Sequence, residues 1–171
     1  MARQIFVNLP IKDIARTRSF FTALGFSFNP QFSNDQGLCM VIADGIHAML
    51  LSEPFFQGFT KKPVSDATKS TEVLVALSCE SVAEVDGLVA KALAAGGRAP
   101  VERKAHGFMV QHGFEDPDGH QWEVFWMDPN AAAPQGWWRR RSGASSARAS
   151  WRAWPAWCAM SAWPKTSRRM R

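Results

Sequence analysis

The chain has 171 residues, a length typical of one domain or of two small modules that share a core. Its net charge of +5 is unevenly divided: residues up to Asp128 hold 11 Lys and Arg against 15 Asp and Glu, a net −4, whereas the remainder holds 9 basic residues and no acid. The body of the chain is therefore acidic, and we expect no nucleic acid to bind the main domain.

The cysteines and the apolar runs bear on the cellular compartment. The chain has three widely spaced cysteines, Cys39, Cys79 and Cys158, and no CxxC pattern. An odd number with this spacing favours reduced thiols over disulfides or metal ligands. No apolar run reaches the roughly 18 residues that a membrane span requires. The opening MARQIFVNLPIKD lacks the features of a signal peptide. We therefore predict a cytoplasmic protein without a membrane span.

In chain order, the first half predicts a β-α-β-β-β module. Residues 4–10 alternate as a half-buried strand does, and Asp13 is a typical N-cap for a helix that Gly25 ends. The predicted strands that follow are 26–32, 38–43 and 46–52. The last two form a hairpin, because Asp44-Gly45 between them is typical of tight turns.

The same order of elements recurs after a polar connector, residues 54–70. Ser81 is predicted to cap a helix that ends at Gly96-Gly97. The predicted strands around this helix are 71–79, 98–104, 107–114 and 120–127. Because the order repeats while the residues barely do, we interpret the pattern as a structural duplication whose two sheets curl around a shared cleft.

The closing hairpin, FEDPDGHQWEVFWMD, places one carboxylate among aromatic residues at mid-strand. A carboxylate at such a position, Glu123, is either a site residue or a buried charge that needs a partner. If Glu115 pairs with His120 across the turn, His112 lies opposite Glu123. The pair would then be an acid/base or ligand-anchoring dyad, or simply a satisfied polar pair, and a shift of one residue would abolish it.

Two segments of the chain, FVNLPIKDIARTRSFFTALGF and FEDPDGHQWEVFW, resemble the opening strand and helix and the closing hairpin of the vicinal oxygen chelate superfamily. That superfamily includes glyoxalase I, bleomycin-resistance proteins and extradiol dioxygenases, and the chain is most similar to predicted lactoylglutathione lyases. The resemblance covers residues 1–130 and implies an α+β fold, with modules 1–53 and 71–128 forming a curved mixed sheet around a cleft. Similar proteins are commonly dimers, so the resemblance also implies a homodimer.

The resemblance further implies where a metal would bind. Metal-dependent relatives hold one divalent ion with four inward-facing His, Gln or Glu side chains from the first and last strands of each module. These positions fall here on Phe6, on Leu51 (or Met49, if the repeat is the guide), on Leu74 and on Glu123. Three of the four are apolar, so we expect no tightly held cofactor. Glu53 shares strand parity with Leu51, and a weak metal site of Glu53 and Glu123 is the alternative, although we favour a solvated Glu53.

Strand parity predicts which other side chains line the cleft. These are Phe6, Asn8, Met49, Leu51, Leu74, Ala76, Gln121 and Phe125. The lining is mainly apolar with a few polar groups, which suits a flat or hydrophobic small molecule, although the same residues could form a packed core.

These observations lead to three functional hypotheses. The first, which we favour, is a metal-independent small-molecule binding protein. The second is a glyoxalase-type lyase or isomerase, or a dioxygenase-like enzyme, that uses Glu123 with His112 or Glu53 and a weakly held divalent metal. The third is a scaffold or interaction domain.

The composition changes after Asn130. Residues 131–171 contain six of the eight Trp, nine basic residues and no acid. This tail is either a basic aromatic arm for a membrane surface or a nucleic acid, or an extension without a selected function. We favour the second interpretation and predict that the tail is poorly ordered and lies outside the site.

Overall fold

A computed structural model describes residues 3–131; the prediction for the tail concerns residues beyond this range. The elements in chain order are β1 (Ile5–Ile11), α1 (Ile14–Leu24), β2 (Ser27–Phe28), a short 3-10 turn (Pro30–Phe32), β3 (Gly37–Ala43), β4 (Ile46–Ser52), α2 (Glu53–Gln57), β5 (Leu74–Ser78), α3 (Val82–Ala94), β6 (Lys104–Ala105), β7 (Met109–Glu115) and β8 (Gln121–Met127). Within residues 3–131, no helix is long and apolar enough to cross a membrane.

The strands form two four-stranded sheets with the same internal order. Sheet one has the order β1-β4-β3-β2, and sheet two has the order β5-β8-β7-β6. In each sheet the first strand of the module pairs in parallel with the last, β1 with β4 and β5 with β8. The predicted α+β fold of two βαβββ modules is confirmed.

Two predicted strands are shorter than their sequence pattern indicates. The strand predicted at 26–32 is reduced to β2, because Asn29 accepts a hydrogen bond from the Gln31 amide and the chain turns at Pro30. The strand predicted at 98–104 is reduced to β6 and a single bridge between Arg98 and Glu115. Pro100 interrupts it, since proline has no amide hydrogen to donate to a ladder.

The helix ends follow the sequence signals. Asp13 accepts a hydrogen bond from the Arg16 amide at 2.9 Å, and Ser81 accepts one from the Glu84 amide at 3.1 Å. Gly25 ends α1 in the left-handed region with φ 104°, a conformation that glycine adopts without steric penalty. Both long helices are therefore fixed in position by local chemistry.

One apolar core joins the two modules. Phe21 of α1 packs edge-on against Trp122 of β8 with ring centroids 5.1 Å apart, and the ring centroids of Phe20 and Phe114 of β7 are 6.1 Å apart. The same core contains Leu9 of β1 and side chains of α3. Each sheet therefore turns one face towards the helices and the core. We call the opposite face of each sheet its outer face.

Hydrogen bonds also fasten the β7–β8 turn to the start of the chain. Asp118 is 4% exposed and accepts hydrogen bonds from the Lys12 amide (3.1 Å), the Arg16 guanidinium (2.7 Å) and the Thr17 hydroxyl (3.1 Å). His120 Nε2 donates to the Pro10 carbonyl at 2.6 Å. These contacts fix the position of β8, and so of Glu123, relative to module one.

Candidate functional site

The outer face of sheet one carries the four residues predicted to line the cleft in module one. In the β1–β4 ladder Asn8 is beside Met49 and Pro10 is beside Leu51, and Phe6 has the same parity as Asn8. Their chain neighbours Leu9 and Leu50 point the other way and are fully buried in the core. The structure therefore brings Phe6, Asn8, Met49 and Leu51 together on one face.

The same face contains a histidine that the sequence reasoning missed. His47 pairs with Phe6 in the parallel ladder, and the two rings stack with centroids 4.8 Å apart and planes 10° apart. His47 Nδ1 is buried and has no hydrogen-bond partner within residues 3–131. Its place just after the Asp44-Gly45 turn offered no sequence signal for a site residue, and it is the parallel pairing of β1 with β4 that puts it next to Phe6.

The outer face of sheet two carries the second set of predicted residues. In the β5–β8 ladder Leu74 is beside Gln121, Ala76 is beside Glu123, and Ser78 is beside Phe125. Leu74 is 45% exposed, whereas Phe125 is buried. The structure therefore groups Leu74, Ala76, Gln121, Glu123 and Phe125 on this face, with Glu123 near its centre.

The predicted pairing of His112 with Glu123 is wrong. The Asp116 amide donates to the His120 carbonyl at 3.0 Å, and the rings of Phe114 and Trp122 stack 8° from parallel. The turn therefore contains three residues, 117–119, rather than the four that the predicted pairing of Glu115 with His120 required. This shifts the register by one residue.

The shift places Gly113, not His112, opposite Glu123. A Cβ atom at Gly113 would lie 4.0 Å from the Glu123 Cα. His112 shares strand parity with the core residue Phe114 and lies on the side of β7 that packs near Asp86 of α3, whose pKa is lowered mainly by its hydrogen bond from Arg103. Its Nδ1 accepts a hydrogen bond from the Gly113 amide. His112 is therefore not part of a dyad with Glu123.

A cavity of about 140 Å³ lies against the outer face of sheet two. Its lining includes Leu74, Val101, Gln111, His112, Gly113, Gln121 and Glu123. Gln111 was not predicted as a site residue. It could have been found from the correct hairpin register, because Gln111 and Gly113 share the parity that faces Glu123.

Glu123 is the chemically unusual member of this lining. Its Oε2 is buried and has no hydrogen-bond partner within the described range. Burial raises the pKa of the Glu123 carboxyl, and the positive charge of Lys104 offsets this only in part. Such a carboxyl can take up a proton closer to neutral pH than an ordinary glutamate, or can accept a hydrogen bond from a ligand.

The second predicted carboxylate, Glu53, lies outside strand β4. The strand ends at Ser52, and Glu53 begins α2 with its side chain exposed. The alternation of β4 does not continue to Glu53, because Pro54 favours the first turn of a helix. The exposed side chain agrees with a solvated Glu53, and a weak metal site of Glu53 and Glu123 stays a prediction.

The side chains at the four metal positions do not supply the donors that a divalent ion needs. Phe6, Leu51 and Leu74 are hydrocarbon side chains, which leaves Glu123 as the ligand. Within residues 3–131, no group of three or more His, Cys, Asp and Glu is arranged to hold a metal ion.

The two described cysteines are thiols rather than nucleophilic thiolates at neutral pH. Burial raises the pKa of Cys39, and burial together with the charge of Glu84 raises the pKa of Cys79 to about 11. Neither residue offers a second reactive group to the site.

Two βαβββ modules with parallel first and last strands define a protein of the vicinal oxygen chelate fold. The chain belongs to the Glyoxalase/Bleomycin resistance protein/Dioxygenase superfamily, whose family model matches residues 3–124. No curated protein matches the sequence.

Solved structures agree with this assignment. A hypothetical protein from S. aureus is 26% identical with a TM-score of 0.63, over 74% of this chain and 94% of that chain. A glyoxalase-related enzyme from Fulvimarina pelagi is 22% identical with a TM-score of 0.62, over 74% and 88%. A fosfomycin resistance protein from Listeria monocytogenes is 16% identical with a TM-score of 0.54, over 74% and 93%. The last two likenesses concern the fold alone.

Proposed function

We propose that this chain is a small-molecule binding protein that holds its ligand on the outer face of sheet two, at Glu123. The observation that carries the proposal is Glu123 itself, because its Oε2 is buried without a partner among the described residues and the residue belongs to the lining of a 140 Å³ cavity. A buried polar atom without a partner is unfavourable, and a donor on a ligand would satisfy it.

The binding is proposed to need no metal ion. The hydrocarbon side chains of Phe6, Leu51 and Leu74 support this, since each stands where metal-dependent relatives have a ligand. Elemental analysis of the purified protein is expected to find no stoichiometric divalent metal, and a chelator is expected to leave the melting temperature unchanged. One bound divalent ion per chain would contradict this part of the proposal.

The working form is proposed to be a homodimer. Phe6 on sheet one and Leu74 on sheet two are 47% and 45% exposed in one chain, and His47 Nδ1 is buried without a partner among the described residues. If the outer face of sheet one in one copy covers the outer face of sheet two in another, both apolar faces are removed from water. The residues predicted to line one cleft would then face each other.

A ligand screen with a blocking variant tests the proposed site. Purified protein is screened by thermal shift and amide NMR against small aromatic and apolar compounds. We expect binders to shift the amides of Gln111 and Gly113. Leu74→Trp is expected to abolish binding because the larger ring fills the cavity, whereas Leu93→Trp, a matched change at an exposed position of α3, should leave it intact. Binding that survives Leu74→Trp, or no binder at all, would contradict the site.

The raised pKa of Glu123 favours a second candidate function. A carboxylate with a raised pKa is suited to proton transfer, as a glyoxalase-type lyase or isomerase requires. Glu123 is the residue proposed for this role, because Gly113 rather than His112 lies opposite it. The test is turnover of the methylglyoxal–glutathione adduct with and without added divalent metals. Turnover that Glu123→Gln abolishes would replace the binding proposal with the enzymatic one.

A further inference from the structure

We infer that the ligand of the Glu123 cavity is a small aromatic amine, with its ring in the cavity and its ammonium group on the Glu123 carboxylate. This inference rests on the proposed binding function and names the chemical class of the ligand. Size, lining and charge each support it.

The size and lining of the cavity fit a single ring. Its volume of about 140 Å³ is close to the roughly 150 Å³ of an apolar cavity that takes up benzene. Leu74, Pro100 and Val101 supply hydrocarbon at its rim, and Gly113 leaves the position opposite Glu123 without a side chain. A flat ring would therefore have apolar contacts and would reach the carboxylate.

Several polar groups of the lining can accept hydrogen bonds, and its two carboxylates attract positive charge. Glu123 Oε2 has no partner among the described residues, and Glu102 adds a second carboxylate at the rim. Gln111 and Gln121 add amide oxygens. Hydrogen bonds between an ammonium group and a carboxylate are about twice as strong as those between neutral groups. A cation thus satisfies Glu123 better than a neutral donor does.

The charged groups around Glu123 leave room for such a cation. Lys104 on β6 is exposed and acts on Glu123 through its charge. Glu115 on β7 is held by the Arg98 guanidinium at 2.7 Å. On β5, the neighbours Leu74 and Ala76 carry no charge.

The test compares four probes that share a ring: benzylamine, benzyl alcohol, toluene and phenylacetate. Dissociation constants are measured by NMR titration of the full chain at pH 7.5. Benzylamine is expected to bind at least tenfold more tightly than toluene, and phenylacetate more weakly than toluene. Lowering the pH through the raised pKa of Glu123 should remove the benzylamine preference, because the carboxylate becomes neutral.

Two variants test whether Glu123 causes the preference for benzylamine. Glu123→Gln is expected to bring benzylamine to the affinity of toluene and to leave toluene unchanged, with its melting curve showing that it folds. Glu53→Gln, a carboxylate outside the cavity, should keep the full preference. If toluene binds but benzylamine is no tighter, or if Glu123→Gln keeps the preference, the ligand class is wrong while the binding function stands. If no probe binds, both fail.

Discussion

At the scale of single residues, the unpartnered carboxylate of Glu123 is unfavourable for stability and is proposed to bind the ligand. The sequence predicted that it would be a carboxylate on a largely apolar face, and the structure places it there beside Ala76. The sequence could not show which residues of β7 lie beside Glu123. These residues depend on the register between β7 and β8, and one more or one fewer residue in the turn changes that register. Gly113, rather than His112, therefore lies opposite Glu123.

The raised pKa of Glu123 predicts a pH-dependent effect on stability. Below its ordinary pKa the group is neutral in both the folded and the unfolded state and contributes nothing. As the pH rises, the unfolded chain ionises first, so the folded state is penalised, and the penalty is complete above the folded-state pKa. Glu123→Gln should therefore raise the free energy of unfolding at pH 8 and change it little at pH 4.

Urea unfolding at both pH values measures this effect. Glu53→Gln is the control, since an exposed side chain without a special contact should change stability by less than about 0.5 kcal/mol. A Glu123→Gln variant that is less stable than the native protein at pH 8 would show that the carboxylate has a favourable partner.

Asp118 should be a sensitive carboxylate to remove. It is buried and accepts hydrogen bonds from Lys12, Arg16 and Thr17, so Asp118→Ala leaves these donors without a partner. We expect a loss of about 2 kcal/mol or more in the free energy of unfolding. Asp35→Ala, at an exposed turn, is the matched control, and equal effects of the two changes in urea unfolding would refute the role given to Asp118.

At the scale of elements, local signals predicted the helices well and the hairpin register poorly. The caps at Asp13 and Ser81 depend on contacts within four residues, and both are present. The β7–β8 turn depends on which of two similar loops the chain adopts. Asp116 accepts hydrogen bonds from the amides of Asp118 and His120, which favours the three-residue loop. Asp116 also accepts a hydrogen bond from the indole nitrogen of Trp122. The loop therefore depends on a contact outside the turn as well as on contacts within it.

The conformation of Gly119 in this turn predicts a strong effect of a small side chain. Gly119 has φ 94°, and a Cβ atom there would lie 2.8 Å from the Thr68 amide nitrogen and 2.9 Å from the Ala67 carbonyl carbon. Gly119→Ala should therefore lower the free energy of unfolding by about 2 kcal/mol or more, since both the backbone and its neighbours must shift.

Gly87→Ala is the matched change in α3, where a Cβ atom has nothing within 4 Å. It should stabilise the protein by about 0.5 to 1 kcal/mol, because alanine favours a helix interior more than glycine does. Thermal unfolding of the two variants measures both changes. A Gly119→Ala variant as stable as the native protein would mean that the turn adopts another conformation.

At the scale of the whole molecule, the two outer faces predict self-association. We expect light scattering after size-exclusion chromatography to give twice the mass of one chain. Phe6→Glu should shift the protein towards the monomer by at least tenfold in dissociation constant, because it places a charge on an apolar face. Phe59→Glu, an equally drastic change at an exposed phenylalanine of the connector, should not do so. A native protein that is monomeric at tens of micromolar would refute the dimer.

The contacts of the β7–β8 turn also determine when this chain can fold. Asp118 lies 106 residues from Lys12 and 101 from Thr17, and His120 lies 110 from Pro10. During synthesis the first helix therefore leaves the ribosome long before its partners exist, with Phe20 and Phe21 lacking the aromatic rings of Phe114 and Trp122 that cover them later. Folding of module one is then a late, concerted event, and a nascent chain interrupted before Asp118 should be a substrate for chaperones rather than a half-folded module.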